Sequence, residues 1–281
     1  MNVKEYAVNA GDVFVLPDAV IKVKQLIDDD ATSIEDIAEV INYDPAIMSQ
    51  VLKISNSALY KFPNTITTVS KAIQVIGTRS IYDLVLAYGV ASAFKDINPD
   101  VIDLDQYWEQ GVSCALLCKY IAEEIGLKES EKLFVCGLLH NLGELVLVKL
   151  GPEIANKCAA ISNDNPPLLL QKKYLGFSYA DISSELLKLW GIPRDIADIV
   201  GKTHVTEHKA QTQEERVMQL AYLLARNNVN NSHFSIHDDV SEEMYESLGI
   251  DIDSVNNALD FSNLQLMSAL ALFSPSSLAM F

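Results

Sequence analysis

The residues most able to do chemistry lie in Cys136-Gly137-Leu138-Leu139-His140-Asn141-Leu142-Gly143. A His-Asn pair set among leucines and glycines in an otherwise apolar helix costs free energy unless something satisfies it. It is therefore either a site, or the relic of one, or a hydrogen-bonded core histidine. A second pattern, His204-Val205-Thr206-Glu207-His208, matches the HxxEH spacing of inverted zinc proteases. Such a motif needs a firm helix and a remote acidic ligand. Lys202 and Lys209 flank this one and Gln211-Thr212-Gln213 follow, so a solvated charge cluster is expected instead. Cys114 and Cys118, four apart, share a helix face and with nearby histidines could complete a zinc site, although apolar surroundings favour plain core packing. Gly176 and Gly191 are isolated turn residues, and there is neither a phosphate-cradling Gly-rich loop nor a GxSxG elbow. P-loop nucleotide hydrolysis and acyl transfer are excluded on that ground.

The elements that must position these residues are helical, with almost no alternating strand pattern. Leu16-Pro17-Asp18 opens a helix with Pro17 in its first turn and Val20, Val23 and Ile27 at helical spacing; the acidic run 28–30 ends it. Ser33 and Asp36 form an approximate capping box for a helix whose stripe is Ile34, Ile37, Ala38 and Ile41. Asp44-Pro45 starts a third, which runs into a turn at Asn56-Ser57. Residues 69–76 follow, stopped by Gly77, and then a long apolar helix, 81–94. Asn98-Pro99-Asp100 marks a lobe boundary because the residue before proline is pushed out of helical geometry. Beyond it helices are expected over 107–125, 130–150, 153–162, 168–175, 179–190 and 193–203. After an amphipathic helix from Glu214, an Asn-rich loop at 227–231 interrupts, and the apolar end 269–273 needs a partner surface. The predicted organisation is all-α: an N-terminal helical lobe over 10–98, a second lobe over 99–210, and a C-terminal helical extension over 211–281 that could cap the core or bind a second copy.

A chain of 281 residues with 49% hydrophobic and 21% charged residues is long enough and apolar enough to bury a large core. Its net charge of −17 argues against nucleic acid, whose binding relies on clustered Lys and Arg. The N-terminus lacks a basic head followed by an apolar block, and even GLLHNLGELVLVKL carries His140, Glu144 and Lys149, so neither a secretory signal nor a membrane span is expected. A cytoplasmic location follows as the expectation.

GLLHNLG resembles the GLLHDIG element of the HD superfamily, in which a His-Asp pair joins further histidines and an aspartate to hold divalent metals that activate water against a phosphoester. Over roughly 14–204 the chain is similar to one branch in particular, the HD-related output domain (HDOD) family. The likeness runs through Leu16-Pro17, Asp44-Pro45-Ala46, Asn56-Ser57-Ala58 and residues 72–77, then Tyr107-Trp108, GLLHNLG, Leu175-Gly176-Phe177 and residues 189–193. The resemblance implies two packed helical lobes and a role in bacterial signal transduction. Carried over one by one, the family's metal positions fall on Gln110, His140, Asn141 and Tyr179, and its paired histidines, to within a residue, on Thr203 and His204. Asn141 stands where the metal-binding aspartate should be, and a neutral amide oxygen binds a hard cation far more weakly than a carboxylate.

Two neutral imidazoles cannot supply the three or more ligands of a catalytic metal centre, so the expectation is a non-catalytic regulatory domain with no cofactor. It would act on unidentified signalling proteins through its helical surfaces, with no nucleic-acid or membrane partner. Two alternatives are weighed with it. One is a residual metal-dependent phosphohydrolase using His140, His204 and Glu144; the other is a sensor of a nucleotide or other small phosphorylated signal in the old cleft. The second lacks an evident arginine, since Arg79 and Arg194 are remote in sequence.

Overall fold

A computed structural model describes residues 1–29, 31–60, 62–94, 96–97, 100–204, 206 and 209–273. Among these residues the structure is all-helical, with no strand beyond a single isolated bridge between Ser162 and Asn165. Four parts of the sequence reading lie outside the described residues: Asp30, the Asn98-Pro99 boundary, Val205 with Glu207 and His208 of the HxxEH pattern, and the chain end beyond Phe273.

The chain divides into two compact units. One comprises Val15–Lys95 and Met267–Phe281, the other Met1–Phe14 and Asp96–Leu266. In the first, α2 (Asp18–Ile27), α3 (Ile34–Asn42), α4 (Pro45–Ser55), α5 (Val69–Ile76) and α6 (Thr78–Ala93) bury the apolar stripes that their spacing predicts. Ser33 and Asp36 form the expected capping box, and Asp44 caps α4 by accepting from the N–H groups of Ala46 (3.0 Å) and Ile47 (3.1 Å). Pro17 sits one position earlier than expected, at the cap of α2 rather than inside its first turn. Asn56 ends α4 and holds the loop behind it, donating to Ile66 O and accepting from Ile66 N, both at 2.8 Å. A Cβ on Gly89 would come within 2.3 Å of Val20, so the contact of α2 with α6 requires glycine there.

The larger unit is built around α7 (Leu104–Glu124), α8 (Ser130–Leu139), α9 (Leu142–Leu150), α12 (Tyr179–Leu189), α13 (Arg194–Gly201) and α14 (Gln213–Val229). Shorter α10 (Pro152–Cys158) and α11 (Pro167–Leu175) flank them. Helices α7 and α8 approach so closely that a Cβ on Gly137 would lie 2.6 to 2.8 Å from the backbone of Ala115 and Cys114. All four cysteines are free and buried, Cys118 with its sulfur 3.8 Å from that of Met218, which is the packing role expected of them.

Three features depart from the sequence reading. The segment 130–150 is not one helix, because α8 ends at Leu139 and α9 begins at Leu142, leaving His140 and Asn141 in the break. It is nonetheless long and apolar enough to cross a membrane, and 78% of its apolar window is buried inside this unit, as for a core helix. Residues 3–13 form α1 (Val3–Val13), a helix absent from the sequence reading; it belongs to the larger unit, opens on an Asn2-Glu5 capping box and buries Tyr6, Ala7 and Ala10. Lastly, the segment read as a C-terminal extension, 211–281, is shared out. Helix α14 is buried along its length and packs on α7 and α8, and α17 (Ile252–Phe273) contributes residues up to Leu266 to the larger unit and later ones to the smaller. The helix α14 also continues to Val229, so Asn227 and Asn228 are helical rather than loop residues.

Candidate functional site

His140 is buried at the break between α8 and α9. Its Nδ1 lies 2.7 Å from the Gly137 carbonyl oxygen, which can only accept, so Nδ1 carries the proton and Nε2 is left as a bare lone pair. That Nε2 is buried and has no hydrogen-bond partner among the described residues. The break itself is stitched to α12 through Ser183. Its Oγ accepts from Gly143 N–H at 2.8 Å and lies 3.0 Å from the carbonyl oxygens of both His140 and Tyr179. A Cβ on Gly143 would fall 2.2 Å from the Tyr179 carbonyl oxygen. The two glycines of the motif are thus packing glycines that let α8 meet α7 and α9 meet α12, and so bring position 140 beside position 179.

The other expected metal positions are occupied with different work. The Asn141 amide donates to Glu144 Oε2. Gln110 Oε1 accepts from Asn230 Nδ2 at 3.1 Å, at the end of α14. Tyr179 is buried; its N–H donates to Gln171 Oε1 at 2.8 Å, and burial pushes its phenol up, helped by Glu144 and Cys158. His204 is buried too, so it is not part of a solvated charge cluster as the HxxEH segment was expected to be. The ring of Tyr222, on α14, stands edge-on to both histidines, with centroids 5.5 Å from His140 and 5.0 Å from His204. Behind it lies Arg226, one helical turn on, its guanidinium carbon 5.9 Å from the Tyr222 centroid.

The electrostatics follow from burial. Desolvation lowers His140 to about 4 against the pull of the Gly137 carbonyl and Glu144, and lowers His204 to about 3, with His140 and Arg226 adding to the effect. Both imidazoles are therefore neutral near pH 7. Glu144 is pushed up by burial to about 7, although Asn141 and His140 favour its charged form. The arrangement pairs two neutral rings with a carboxyl that is easily protonated and a fixed cation.

The HD relation implies a divalent metal, and the donor set does not fit one. A structural or catalytic ion needs three or four protein ligands, with anionic oxygens for the hard cations of phosphoester chemistry. Here the amides of positions 110 and 141 are already bonded, position 179 is a phenol held well above its usual range, and among these positions His140 Nε2 and the Tyr179 hydroxyl are left without a partner. Among the described residues no three His, Cys, Asp or Glu side chains converge on a common point. Arg226, whose charge already disfavours protonation of His204, would likewise oppose a divalent ion there.

Sequence reasoning did not find Tyr222, Arg226 or Asn230. They sit four residues apart on α14, a spacing that places them on one helix face, yet nothing in the sequence says which other helix that face meets.

Fold and site together define an all-helical protein of the HD-related class. Residues 13–206 match the model of the HDOD domain, and the chain belongs to that family. A solved structure of an HDOD domain protein with unknown function from Geobacter sulfurreducens has a TM-score of 0.73 at 18% identity, covering 96% of this chain and 98% of that one. A protein of Shewanella amazonensis named "Putative phosphohydrolase" has a TM-score of 0.71 at 21% identity over 97% and 98%. Another, from Marinobacter aquaeolei, named "Putative signal transduction protein", has 0.71 at 20% identity over 95% of this chain and 60% of that chain. At these identities the likeness is one of fold. An uncharacterized protein of Treponema pallidum is 24% identical over 214 residues, which are 75% of this chain; the chain spans 41% of that relative's length.

Proposed function

We propose that this HDOD chain is a non-catalytic regulatory module that passes a state to other signalling polypeptides through its helical surfaces. The observation that carries the reading is the placement of α14. Tyr222 packs against both surviving histidines, Asn230 takes Gln110, and Arg226 brings a positive charge where the ancestral chemistry needs a cation of its own. Each family metal position then has a hydrogen-bond or packing role that needs no ion, apart from the bare Nε2 of His140 and the unpartnered hydroxyl of Tyr179. The name of the Marinobacter aquaeolei neighbour agrees with a signalling role, and a cytoplasmic setting suits one. The proposed partners are other proteins, or a second copy meeting the C-terminal segment, where Leu264 and Met267 of α17 are exposed.

The competing reading is a residual metal-dependent phosphohydrolase, favoured by that orphaned Nε2, by the proximity of Glu144 to His140, and by the name of the Shewanella amazonensis neighbour. The two separate cleanly. The purified chain, grown with added Mn, Fe and Zn, is expected to carry sub-stoichiometric metal by elemental analysis and to leave bis(4-nitrophenyl) phosphate intact. Stoichiometric metal together with hydrolysis that is lost in His140→Ala would overturn the regulatory reading.

A further inference from the structure

Arg226 and Asn227 in the last turns of α14 are 6% and 2% exposed. The guanidinium is held on several sides. Its carbon lies 4.5 Å from the Phe234 ring centroid, and its Nε and Nη2 donate to Asn227 Oδ1 at 3.1 and 3.0 Å. A cation this buried is strongly unfavourable unless an anion compensates its lost hydration. The compensation comes from Asp239, whose Oδ2 is 2.5 Å from Nη2. Asp239 is a weakly anchored counter-ion, since it ends α15 (Ile236–Asp239), a four-residue helix with no buried residue, and its side chain is about a third exposed.

The Asn227 amide supplies the second, independent observation. Its Nδ2 is buried and has no hydrogen-bond partner among the described residues. Because Oδ1 of the same amide accepts from Arg226, Nδ2 lies within a few ångströms of the guanidinium. A buried donor left unfilled is destabilising. The Asp239 carboxylate meets Nη2 alone and leaves Nδ2 unsatisfied. A phosphoryl group, with three acceptor oxygens and up to two negative charges, can bridge the guanidinium and the amide at once.

We propose that Arg226 and Asn227 form a binding site for the phosphoryl group of a small phosphorylated ligand, and that Asp239 fills the site in its absence. Ligand entry displaces Asp239 and frees the segment 231–240. The near-complete burial of both residues selects a small molecule over a phosphate carried on a protein surface. The site supplies an input for the regulatory reading and rests on it for its biological sense; the binding itself does not depend on the metal question.

The test uses the full chain and inorganic phosphate at constant ionic strength, with chloride as the control. By calorimetry, Asp239→Asn is expected to bind phosphate about tenfold or more tightly than the unmodified chain, because it removes an intramolecular competitor. Arg226→Gln is expected to lose binding. In the unmodified chain, saturating phosphate should speed amide hydrogen exchange over 231–240, a readout that needs no variant and so survives if Arg226→Gln fails to fold. Equal affinity in Asp239→Asn, binding retained in folded Arg226→Gln, unchanged exchange over 231–240, or no binding by any of these proteins would each overturn the proposal. None of these results bears on metal content or phosphodiester hydrolysis, so failure here and failure of the regulatory reading are distinguishable.

Discussion

The Asn141 amide donates to Glu144, and an aspartate at 141 would set two carboxylates against each other in a largely buried space. Asn141→Asp restores the family's residue but is expected to lower thermal stability without restoring metal, as read by melting temperature and elemental analysis. Linkage gives a second prediction. His140 and His204 titrate near 4 and 3 in the folded chain, against 6.5 unfolded, so they contribute stability that is full above pH 6.5 and is lost as pH falls toward those values. Glu144 runs the other way, from 4.5 unfolded to about 7 folded; its contribution is full below pH 4.5 and is lost as pH rises through 7. Between pH 4.5 and 6.5 two protons therefore oppose one. The site should lose stability on acidification at roughly one proton's worth, about 1.4 kcal/mol per pH unit. Removing the opposing group in Glu144→Gln should steepen the loss, as measured by urea denaturation at pH 5, 6 and 7. A slope unchanged by that substitution would show that Glu144 does not titrate in this window.

At the scale of the helices, Gly137 and Gly143 set how closely α8 meets α7 and α9 meets α12. Both would-be Cβ atoms strike backbone, which cannot rotate aside as a side chain can. Gly143→Ala and Gly137→Ala should each cost at least the upper part of the ~1–3 kcal/mol typical of overpacking. Because Ser183 ties Gly143 N–H to the His140 carbonyl, Gly143→Ala should also disturb the His140 ring resonances, whereas Gly137→Ala acts first on the contact of α7 with α8. Helix α14 covers the site with Tyr222, Arg226 and Asn230 while burying Val217, Leu220, Ala221 and Leu224. Ending the chain at residue 210 should therefore expose a core surface and abolish cooperative unfolding of the larger unit, seen as loss of near-UV circular dichroism. Retention of a sharp transition would show that α14 is dispensable to the core.

Across the whole molecule, the chain supplies each compact unit from more than one stretch of sequence. Residues 1–14 join the unit that resumes at 96, and the end of α17 joins the unit of 15–95. In that smaller unit Phe273 is fully buried and Gln50 Nε2 donates to the Leu272 carbonyl. Phe273→Ala is expected to destabilise this unit by about 3–5 kcal/mol, the usual cost of a deleted core aromatic. Hydrogen exchange localises the effect: α2 to α6 should lose protection although the substitution lies more than 170 residues away in sequence. An effect confined to residues around 273 would contradict the division.

Local chemistry alone determined the helical class, the helix starts at Ser33 and Asp44, the stop at Gly77 and the odd polar pair at 140–141, because each depends on residues within a turn or two of one another. The ligand positions could be named by resemblance for the same reason: GLLHNLG is a contiguous signal. The tertiary structure decided what stands opposite. That His140 meets Tyr222, that Gln110 meets Asn230, that Arg226 lies near His204, and that α1 and the last turns of α17 are built into cores are contacts between segments tens to hundreds of residues apart. Helical periodicity gives the face a residue occupies but not the surface that face will meet. The same side chains could have lined an open cleft or, as here, been covered by α14.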